Sequence, residues 1–220
     1  MRALVIGASG GIGTALCAAL QAQGAEVTAL SRSQDGLDVT DADSVAQHLG
    51  ALEGPFHRVL VVTGALEIDG MGPEKALKHL EPEAMLAQFK LNAMGPALVL
   101  RHAADLLPRD KPAVLGVMSA RVGSIGDNRA GGWHSYRAAK AALNQFLRGA
   151  AIELGRTHKQ TICVALHPGT VQTDLTRKYL GRHPAVPPAE AAANLLRVID
   201  GLRPEDSGGF FDWAGKPIPW

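Results

Sequence analysis

The sequence is poor in the features that mark metal sites, membrane segments and polyanion binding. Its two cysteines, Cys17 and Cys163, stand in no Cys-x-x-Cys or Cys/His spacing, so no metal site is predicted. The formal net charge is only +1, and lysine and arginine form no block, so neither nucleic acid nor an anionic membrane surface is an expected partner. The longest apolar stretches are strand-sized and no signal-peptide pattern opens the chain, which predicts a cytoplasmic protein without a membrane partner.

What the sequence does contain is an alternation of strand-like apolar runs with helix-like segments. The runs cover residues 2–6, 25–30, 57–63, 113–118, 161–166 and 207–213. This order predicts a parallel sheet with right-handed crossovers, helices on both faces and a ligand crevice at the carboxyl ends of the strands. The chain has 220 residues, 46% of them hydrophobic, and no repeat or linker. We therefore expect residues 1–220 to form a single doubly wound, Rossmann-type α/β domain with about seven strands.

A glycine-rich turn follows the first strand and leads into a helix that closes near Gly24. In such a turn Gly7 allows the tight bend, Gly11 lets the backbone approach a pyrophosphate, and Gly13 permits close packing of helix on strand. The amides at the helix start would then face the negative charge. The alternative is a purely structural turn. We predict dinucleotide binding, with contacts from Gly7, Ser9, Gly11, Ile12 and Gly13.

The end of the second strand is where a dinucleotide fold reads the ribose of the adenosine half. Ser31 and Arg32 stand there without an acidic neighbour, and an arginine suits a 2′-phosphate, so NADP(H) is predicted in preference to NAD. A solvated loop arginine is the alternative. Asp38 could accept from the adenine amino group or serve turn chemistry alone, and Val39 follows it as a further predicted cofactor contact.

Two more segments add small or polar residues to the same edge. The third strand leads into Gly64, where the missing side chain would let a cofactor pass close to the backbone. A helix is predicted over residues 83–106, with Asn92 just before an irregularity. A buried polar residue there is either a satisfied core amide or part of a site. The fourth strand ends at Ser119.

Residues 132–146 read as the first turns of a long helix. Tyr136 and Lys140 are four residues apart, so both side chains would lie on one face of that helix. An ammonium beside a phenol favours the phenolate and lowers its pKa, which makes the hydroxyl usable as a general acid and base. Tyr136 is the candidate proton donor.

The fifth strand ends at His167, and the segment after it is the predicted nicotinamide contact and substrate loop. Residues 170–188 are long for a connection and rich in proline, glycine and charge, as in a lid over a site. His134 and His167 could touch substrate, although a surface position and core packing, respectively, are the preferred interpretations. The predicted cofactor contacts are Pro168, Gly169, Val171 and Thr173.

Together these motifs resemble the short-chain dehydrogenase/reductase family over essentially the whole chain. Residues 123–133 and the C-terminal F-D-W-A-G-K-P-I-P-W are similar to the small C-factor-like carbonyl reductases. The matching elements are the glycine turn Gly7 to Gly13, Asp38-Val39, Asn92, Tyr136-x-x-x-Lys140 and Pro168-Gly169-x-Val171-x-Thr173.

The resemblance implies an NADP(H)-dependent oxidoreductase of a small or medium carbonyl or alcohol substrate. Tyr136 would protonate the carbonyl oxygen, Lys140 would lower the tyrosine pKa and hold the nicotinamide ribose, and Asn92 would anchor a water in a proton relay. The residues from Pro168 to Thr173 would pack against the nicotinamide. The helices carrying Asn92 and Tyr136 would pair across a homodimer or homotetramer interface.

One departure from the family pattern affects the predicted activity. The family's catalytic serine would fall at Ala120. Ser119 is the candidate replacement, provided that the strand end shifts by one residue, because adjacent strand residues point to opposite faces. Ser124 or no serine at all are the alternatives. Because an oxyanion donor contributes on the order of a hundred- to a thousand-fold in rate, a dinucleotide-binding regulatory or signalling protein with weak catalysis is the second hypothesis.

Overall fold

The computed structural model describes residues 1–181 and 184–220, and a parallel β-sheet forms its centre. The strands are β1 (Arg2–Ile6), β2 (Glu26–Leu30), β3 (Arg58–Val61), β4 (Ala113–Met118), β5 (Thr161–His167) and β6 (Gly209–Asp212). They are hydrogen-bonded in the order β2-β1-β3-β4-β5-β6, and every neighbouring pair is parallel. The sequence predicted about seven strands. The described residues form six, because the chain turns back after β6 and Pro217 makes only a single antiparallel bridge with Phe211.

Helices cover both faces of the sheet, as the strand–helix alternation predicted. They are α1 (Gly11–Ala22), α2 (Arg32–Asp35), α3 (Ala42–Gly50), α4 (Pro82–Phe89), α5 (Gly95–Leu100), α6 (Ala103–Leu106), α7 (His134–Thr157) and α8 (Pro188–Gly201). One core contains apolar side chains of α1 and α8, and the other contains those of α3, α5, α6 and α7. Among the described residues, no helix combines the length and the apolar character needed to cross a membrane.

The helix predicted over residues 83–106 is divided into shorter segments. After α4 the chain forms a π-helical turn, Lys90–Met94, before α5 begins at Gly95. Pro96 has no N–H, so the carbonyl four residues earlier, at Asn92, loses its usual helical donor. The π turn lies where this hydrogen bond is missing, and such turns often mark functional sites. Asn92 therefore lies at a break in the helix rather than inside a regular one.

Helix α7 presents one continuous buried face to the sheet. Its buried residues recur every three or four positions and include Tyr136, Lys140 and Asn144. Because side chains at this spacing share a helix face, the packing that fixes α7 also places the phenol and the ammonium side by side.

Candidate active site

The glycine turn after β1 has the tight shape that the sequence predicted. Gly7 has φ +92°, and its N–H and that of Ala8 donate to the Leu30 carbonyl at 2.8 and 3.1 Å. A side chain on Gly13 would collide with the Gly7 carbonyl oxygen. The turn therefore requires glycine at both positions, and it brings the start of α1 against the sheet.

The N-terminus of α1 is prepared for an anion. Its N-cap is Gly10, no side chain caps the helix, and its first turn contains no acidic residue. The unpaired amides and the helix dipole favour a phosphate group there. Ser9 and Gly11 are exposed and Ile12 is half-buried. Thr173 covers this end, since a Cβ on Gly11 would lie 2.8 Å from Thr173 Cγ2. The donors and shape of this helix end fit a dinucleotide pyrophosphate.

The end of β2 holds Arg32 exposed and Ser31 buried. The Ser31 hydroxyl caps α2 by accepting from Gln34 N at 3.3 Å, and it donates to Asp35 Oδ2 at 3.2 Å. Arg32 makes no side-chain hydrogen bond or ion pair with any residue that the structure describes. Its guanidinium is thus available to a phosphate, whereas Ser31 is engaged in the turn.

Asp38 takes part in turn chemistry. Its Oδ1 accepts from the Thr40 N–H and hydroxyl, both at 2.8 Å. These hydrogen bonds, with the Thr40 backbone as the largest contributor, hold the pKa of the Asp38 carboxyl below its usual value. Val39 is buried against Gly95, and a Cβ on Gly95 would lie 2.9 Å from Val39 Cγ2. One of the two roles considered for Asp38 is therefore observed.

Asn92 and Lys140 converge beside Gly64. A Cβ placed on Gly64 would lie 2.8 Å from Asn92 Oδ1 and 3.5 Å from Lys140 Nζ. The Asn92 amide donates to the Ala65 carbonyl at 2.9 Å, and its Oδ1 accepts from Ala65 N at 3.2 Å. Lys140 Nζ donates to the Met118 carbonyl at 3.0 Å. Glycine is required at position 64 because any side chain there would displace one of these polar groups.

Tyr136 is buried next to Lys140. Only 8% of the tyrosine and 2% of the lysine are exposed, and Lys140 Nζ lies 5.9 Å from the centroid of the Tyr136 ring. The Trp133 ring packs edge-on against it at 6.4 Å. The sequence predicted that Lys140 would lower the tyrosine pKa. In this structure burial raises the pKa of Tyr136 instead, and burial lowers that of Lys140 to about 8, because desolvation disfavours the charged form of both groups.

The strand end at Ser119 does not show the one-residue shift that this hydroxyl would need in order to replace the family's serine. Ser119 N donates to the Leu166 carbonyl at 2.8 Å, which continues the β4–β5 ladder, and Ser119 Oγ donates to Asn144 Oδ1 at 2.6 Å. Asn144 lies two turns beyond Tyr136 on α7. Ala120 is also extended, so its methyl group takes the opposite side. Ser124 donates to the Pro219 carbonyl and holds the C-terminal segment.

The segment after β5 reaches the glycine turn. Gly169 has φ +78°, and a Cβ on it would lie 3.0 Å from Trp213 Cδ1. Pro168, the residue before it, is half-buried. Val171 is buried, and Thr173 covers Gly11 as described above. Residues 182 and 183 of the predicted substrate loop lie outside the described residues.

The two candidate histidines take different environments. Burial, followed by the nearby Arg121, lowers the pKa of His167 to about 4, so its ring is neutral at pH 7. Its Nδ1 has no hydrogen-bond partner among the described residues. His134 is half-buried at the first position of α7. The packing interpretation fits His167 better than a role in proton transfer.

Two buried amides of the site were missed from the sequence. Gln88 accepts from Asn92 Nδ2 at 2.7 Å and donates to the Leu66 carbonyl at 2.9 Å, which fixes the orientation of the Asn92 amide. Asn144 receives the Ser119 hydroxyl. The signal that could have found them is spacing, because Gln88 precedes Asn92, and Asn144 follows Lys140, by one helical repeat of four residues.

The doubly wound sheet, the open helix N-terminus and the buried tyrosine–lysine pair define an oxidoreductase that binds a nicotinamide dinucleotide. The family model described as short chain dehydrogenase matches residues 1–182. The chain belongs to this family of NAD(P)-dependent dehydrogenases and reductases, as the sequence motifs indicated.

Curated relatives cover most of the chain. The 1-hydroxy-2-glutathionyl-2-methyl-3-butene dehydrogenase of Rhodococcus sp. is 32% identical over 99% of this chain and 98% of its own. The C-signal protein of Myxococcus xanthus is 38% identical over 66% of this chain and 84% of its own.

Solved structures share the fold. A short-chain dehydrogenase/reductase from Burkholderia multivorans with bound NADP is 25% identical, with a TM-score of 0.80, and the match covers 100% of this chain and 99% of that one. The carbonyl reductase Sniffer of D. melanogaster is 20% identical, with a TM-score of 0.82 over 100% of this chain and 99% of that one.

Proposed function

We propose that this protein is an NADP(H)-dependent reductase that transfers hydride between the nicotinamide and the carbonyl or alcohol carbon of a small or medium substrate. The observation that carries the proposal is that buried Asn92 and Lys140 meet beside Gly64, with the buried Tyr136 ring next to Lys140. The dehydrogenase relative from Rhodococcus, whose name describes an alcohol substrate, supports the same class of reaction. When bound, the nicotinamide supplies or accepts the hydride.

In the proposed mechanism Tyr136 is the general acid that protonates the carbonyl oxygen. Burial raises the pKa of its hydroxyl, so the phenol is protonated at neutral pH and has a proton to donate. The protonated phenol is the form that carbonyl reduction needs, whereas alcohol oxidation needs the tyrosinate. Lys140, whose ammonium is held beside the tyrosine ring and the Met118 carbonyl, would stabilise the tyrosinate that remains after proton transfer.

Asn92 is proposed to complete a route for reprotonating Tyr136. Its amide is fixed by Ala65 and Gln88, and its Oδ1 faces the same point beside Gly64 as the Lys140 ammonium. A water held between these two groups would pass a proton from solvent towards the lysine. The glycine turn, Val39 and the residues from Pro168 to Thr173 would hold and orient the cofactor.

The substrate loop is proposed to close over Tyr136. Lys178 in the loop donates to Glu67 Oε2 at 2.6 Å, and the Tyr179 hydroxyl lies 3.4 Å from Glu67 Oε1. The Tyr179 ring packs edge-on against Trp133 at 5.2 Å, and Trp133 packs in turn on Tyr136. Trp133 thus connects Tyr179 with the proposed proton donor, and loop residues 178 and 179 would form one wall of the substrate pocket.

A panel of aldehydes and ketones, assayed by NADPH consumption, tests the proposed reaction. The second candidate, a dinucleotide-binding signalling protein with little catalysis, is favoured by Ala120 and by the relative named C-signal. The two candidate functions predict different responses to Ala120→Ser. This variant adds a hydroxyl at the position where the family has its serine, on the side opposite to the Ser119 side chain. For a reductase we expect turnover that this variant raises by about ten- to a hundred-fold. Saturable NADPH binding with no turnover in either protein would support the second candidate.

The preference for NADP(H) is proposed to depend on Arg32. Arg32→Asp removes the exposed guanidinium and adds a charge that repels a 2′-phosphate. We expect the Kd for NADPH, followed by nicotinamide fluorescence, to rise by roughly ten- to a hundred-fold while NADH binding improves. Arg109→Asp makes the same charge change at another exposed site and should leave both constants unchanged. If Arg32→Asp preserves the preference for NADPH, another group reads the phosphate.

A homodimer or homotetramer is proposed to form through α4 and α7. The two helices pack together and expose a group of apolar side chains, namely Met85, Leu86 and Phe89 on α4 and Phe146 and Ile152 on α7. Large exposed apolar side chains that are close together can mark an interface. Analytical ultracentrifugation at micromolar concentration should show a dimer or tetramer, and a monomer would contradict the proposal.

A cytoplasmic location stays a prediction from the sequence.

A further inference from the structure

The helix that carries Tyr136 begins without a cap of its own. Gly131, Gly132 and Trp133 all have positive φ, at 61°, 63° and 53°. Trp133 is the N-cap residue and makes no side-chain capping bond, and the first turn of α7 contains no acidic residue. A left-handed tryptophan costs on the order of 1 kcal/mol and persists only where other contacts hold it. Some other part of the chain must therefore stabilise this helix start.

Glu74 supplies the missing cap from a loop sixty residues earlier. Its backbone carbonyl accepts from Trp133 N at 2.6 Å, and its carboxylate accepts from Ser135 N at 3.2 Å. The Ser135 hydroxyl donates to the other carboxylate oxygen. Both side chains are buried, with 7% of Glu74 and 5% of Ser135 exposed. These three bonds hold Trp133 and Ser135, the residues on either side of the first helical residue. Ser135 directly precedes Tyr136.

The Glu74 carboxylate is a buried charge without an ion-pair partner among the described residues. Burial alone would raise its pKa, but the hydrogen bonds from the Ser135 hydroxyl and backbone outweigh burial, and the pKa of Glu74 is below its usual value. The carboxylate is therefore ionised at neutral pH. The titratable groups that lie near it on α7 are His134 and Tyr136.

Glu74 and Tyr136 also line the same small cavity. The other walls are mostly apolar and include Ile68, Met71 and Ala87, with Gln88 as the remaining polar residue. In such low-polarity surroundings a fixed negative charge acts on its neighbours more strongly than it would in water. The Glu74 carboxylate and the Tyr136 phenol therefore share one enclosed space of low polarity.

We propose that Glu74 is a positioning residue for Tyr136, which caps the catalytic helix from outside and keeps the phenol protonated as a proton donor. The inference rests on the proposed reductase function. It adds a residue that the tyrosine, lysine and asparagine motif does not contain. It also explains how Tyr136, the third residue of α7, is held in place although the residues before the helix have positive φ and provide no side-chain cap.

Two variants of Glu74 separate position from charge. Glu74→Gln keeps an acceptor for Ser135 and removes the charge, so the neutral-pH kcat should change less than about threefold. The alkaline limb of the reduction profile, where the rate falls as the proton donor ionises, should move to lower pH by roughly one unit, the shift expected for two charges about 10 Å apart at an effective dielectric constant of about 20.

Glu74→Ala removes both functions. We expect kcat to fall by roughly tenfold or more, and amide hydrogen exchange at residues 133–136 to accelerate by about five- to thirty-fold, since helix caps contribute about 1–2 kcal/mol. The KM for NADPH should stay within about twofold. Glu83→Gln removes an exposed carboxylate from α4 and should change neither the pH profile nor the exchange.

The outcomes distinguish this inference from the proposed function. A wild-type protein that reduces no carbonyl compound contradicts the reductase proposal, and hydrogen exchange in Glu74→Ala then still decides whether Glu74 holds the helix. If wild-type turnover is present and the alkaline limb of Glu74→Gln coincides with that of the wild type, or if exchange at residues 133–136 is unchanged in Glu74→Ala, the inference about Glu74 is overturned.

Discussion

Replacing Tyr136 by phenylalanine is expected to lower kcat/KM for carbonyl reduction by on the order of a thousand-fold or more. The change removes only the hydroxyl, which makes no hydrogen bond to another described residue, and leaves the buried ring with its edge-on contact to Trp133. The loss should therefore be chemical rather than structural. NADPH consumption under saturating cofactor measures it, and NADPH fluorescence should show a Kd within about twofold of the wild type.

The other tyrosine provides the matched control. Tyr179→Phe removes a hydroxyl from the proposed substrate loop, where it lies 3.4 Å from a Glu67 oxygen. Because this group is proposed to face the substrate rather than the reacting oxygen, we expect a change of less than about tenfold, mainly in the substrate KM. Equal activity of Tyr136→Phe and the wild type would refute the role assigned to Tyr136, and loss of NADPH binding would show that the substitution disturbs the fold.

Replacing Lys140 by methionine is expected to act on activity and stability in opposite directions. The ammonium is 2% exposed and donates to one carbonyl, so burial lowers its pKa to about 8 from an ordinary value of 10.5. A side chain of similar volume without charge avoids that desolvation. We expect kcat/KM to fall by roughly a hundred- to a thousand-fold, and the free energy of unfolding at pH 7 to rise by about 2 kcal/mol after the lost hydrogen bond is subtracted.

The pH dependence of unfolding tests the physical reason. Between the folded pKa of about 8 and the unfolded value of 10.5, the unfolded chain binds more protons at position 140 than the folded protein. The stability of the wild type should therefore gain from this group as pH rises through that window, and the advantage of Lys140→Met should shrink. Urea titrations at pH 7.5 and 9.5 measure both proteins, with exposed Lys111→Met as the control. A Lys140→Met protein that is less stable than the wild type at pH 7.5 would contradict the prediction.

Local sequence patterns predicted most of the architecture. Apolar runs placed all six observed strands, and the glycine turn was expected where β1 meets α1. Tyr136 and Lys140 were expected on one helix face, and both are buried side by side on α7. These predictions succeed because hydrophobic period, glycine φ and helical spacing are properties of a few consecutive residues.

Predictions that depended on the direction of a side chain or on its solvation were less successful. The hydroxyl of Ser119 was a candidate if the strand end shifted by one residue, yet the β4–β5 ladder continues through Ser119 without a shift and its hydroxyl donates to Asn144. The pKa of Tyr136 was expected to fall because Lys140 is near, yet burial raises it. In both cases the outcome depends on which atoms of distant segments surround the group, and sequence spacing carries no record of that.

The sequence by itself determined the order of strands and helices, the glycine positions that the turn requires, and the pairing of Tyr136 with Lys140 on a single helix. Only the tertiary structure decided that Asn92 and Lys140 meet at Gly64, and that Glu74 closes the start of α7 from sixty residues away. The physical reason is range. Backbone preferences and helical spacing act between neighbours along the chain, whereas desolvation and capping by a distant carboxylate exist only after the loops after β3 and before α7 have been brought together by folding.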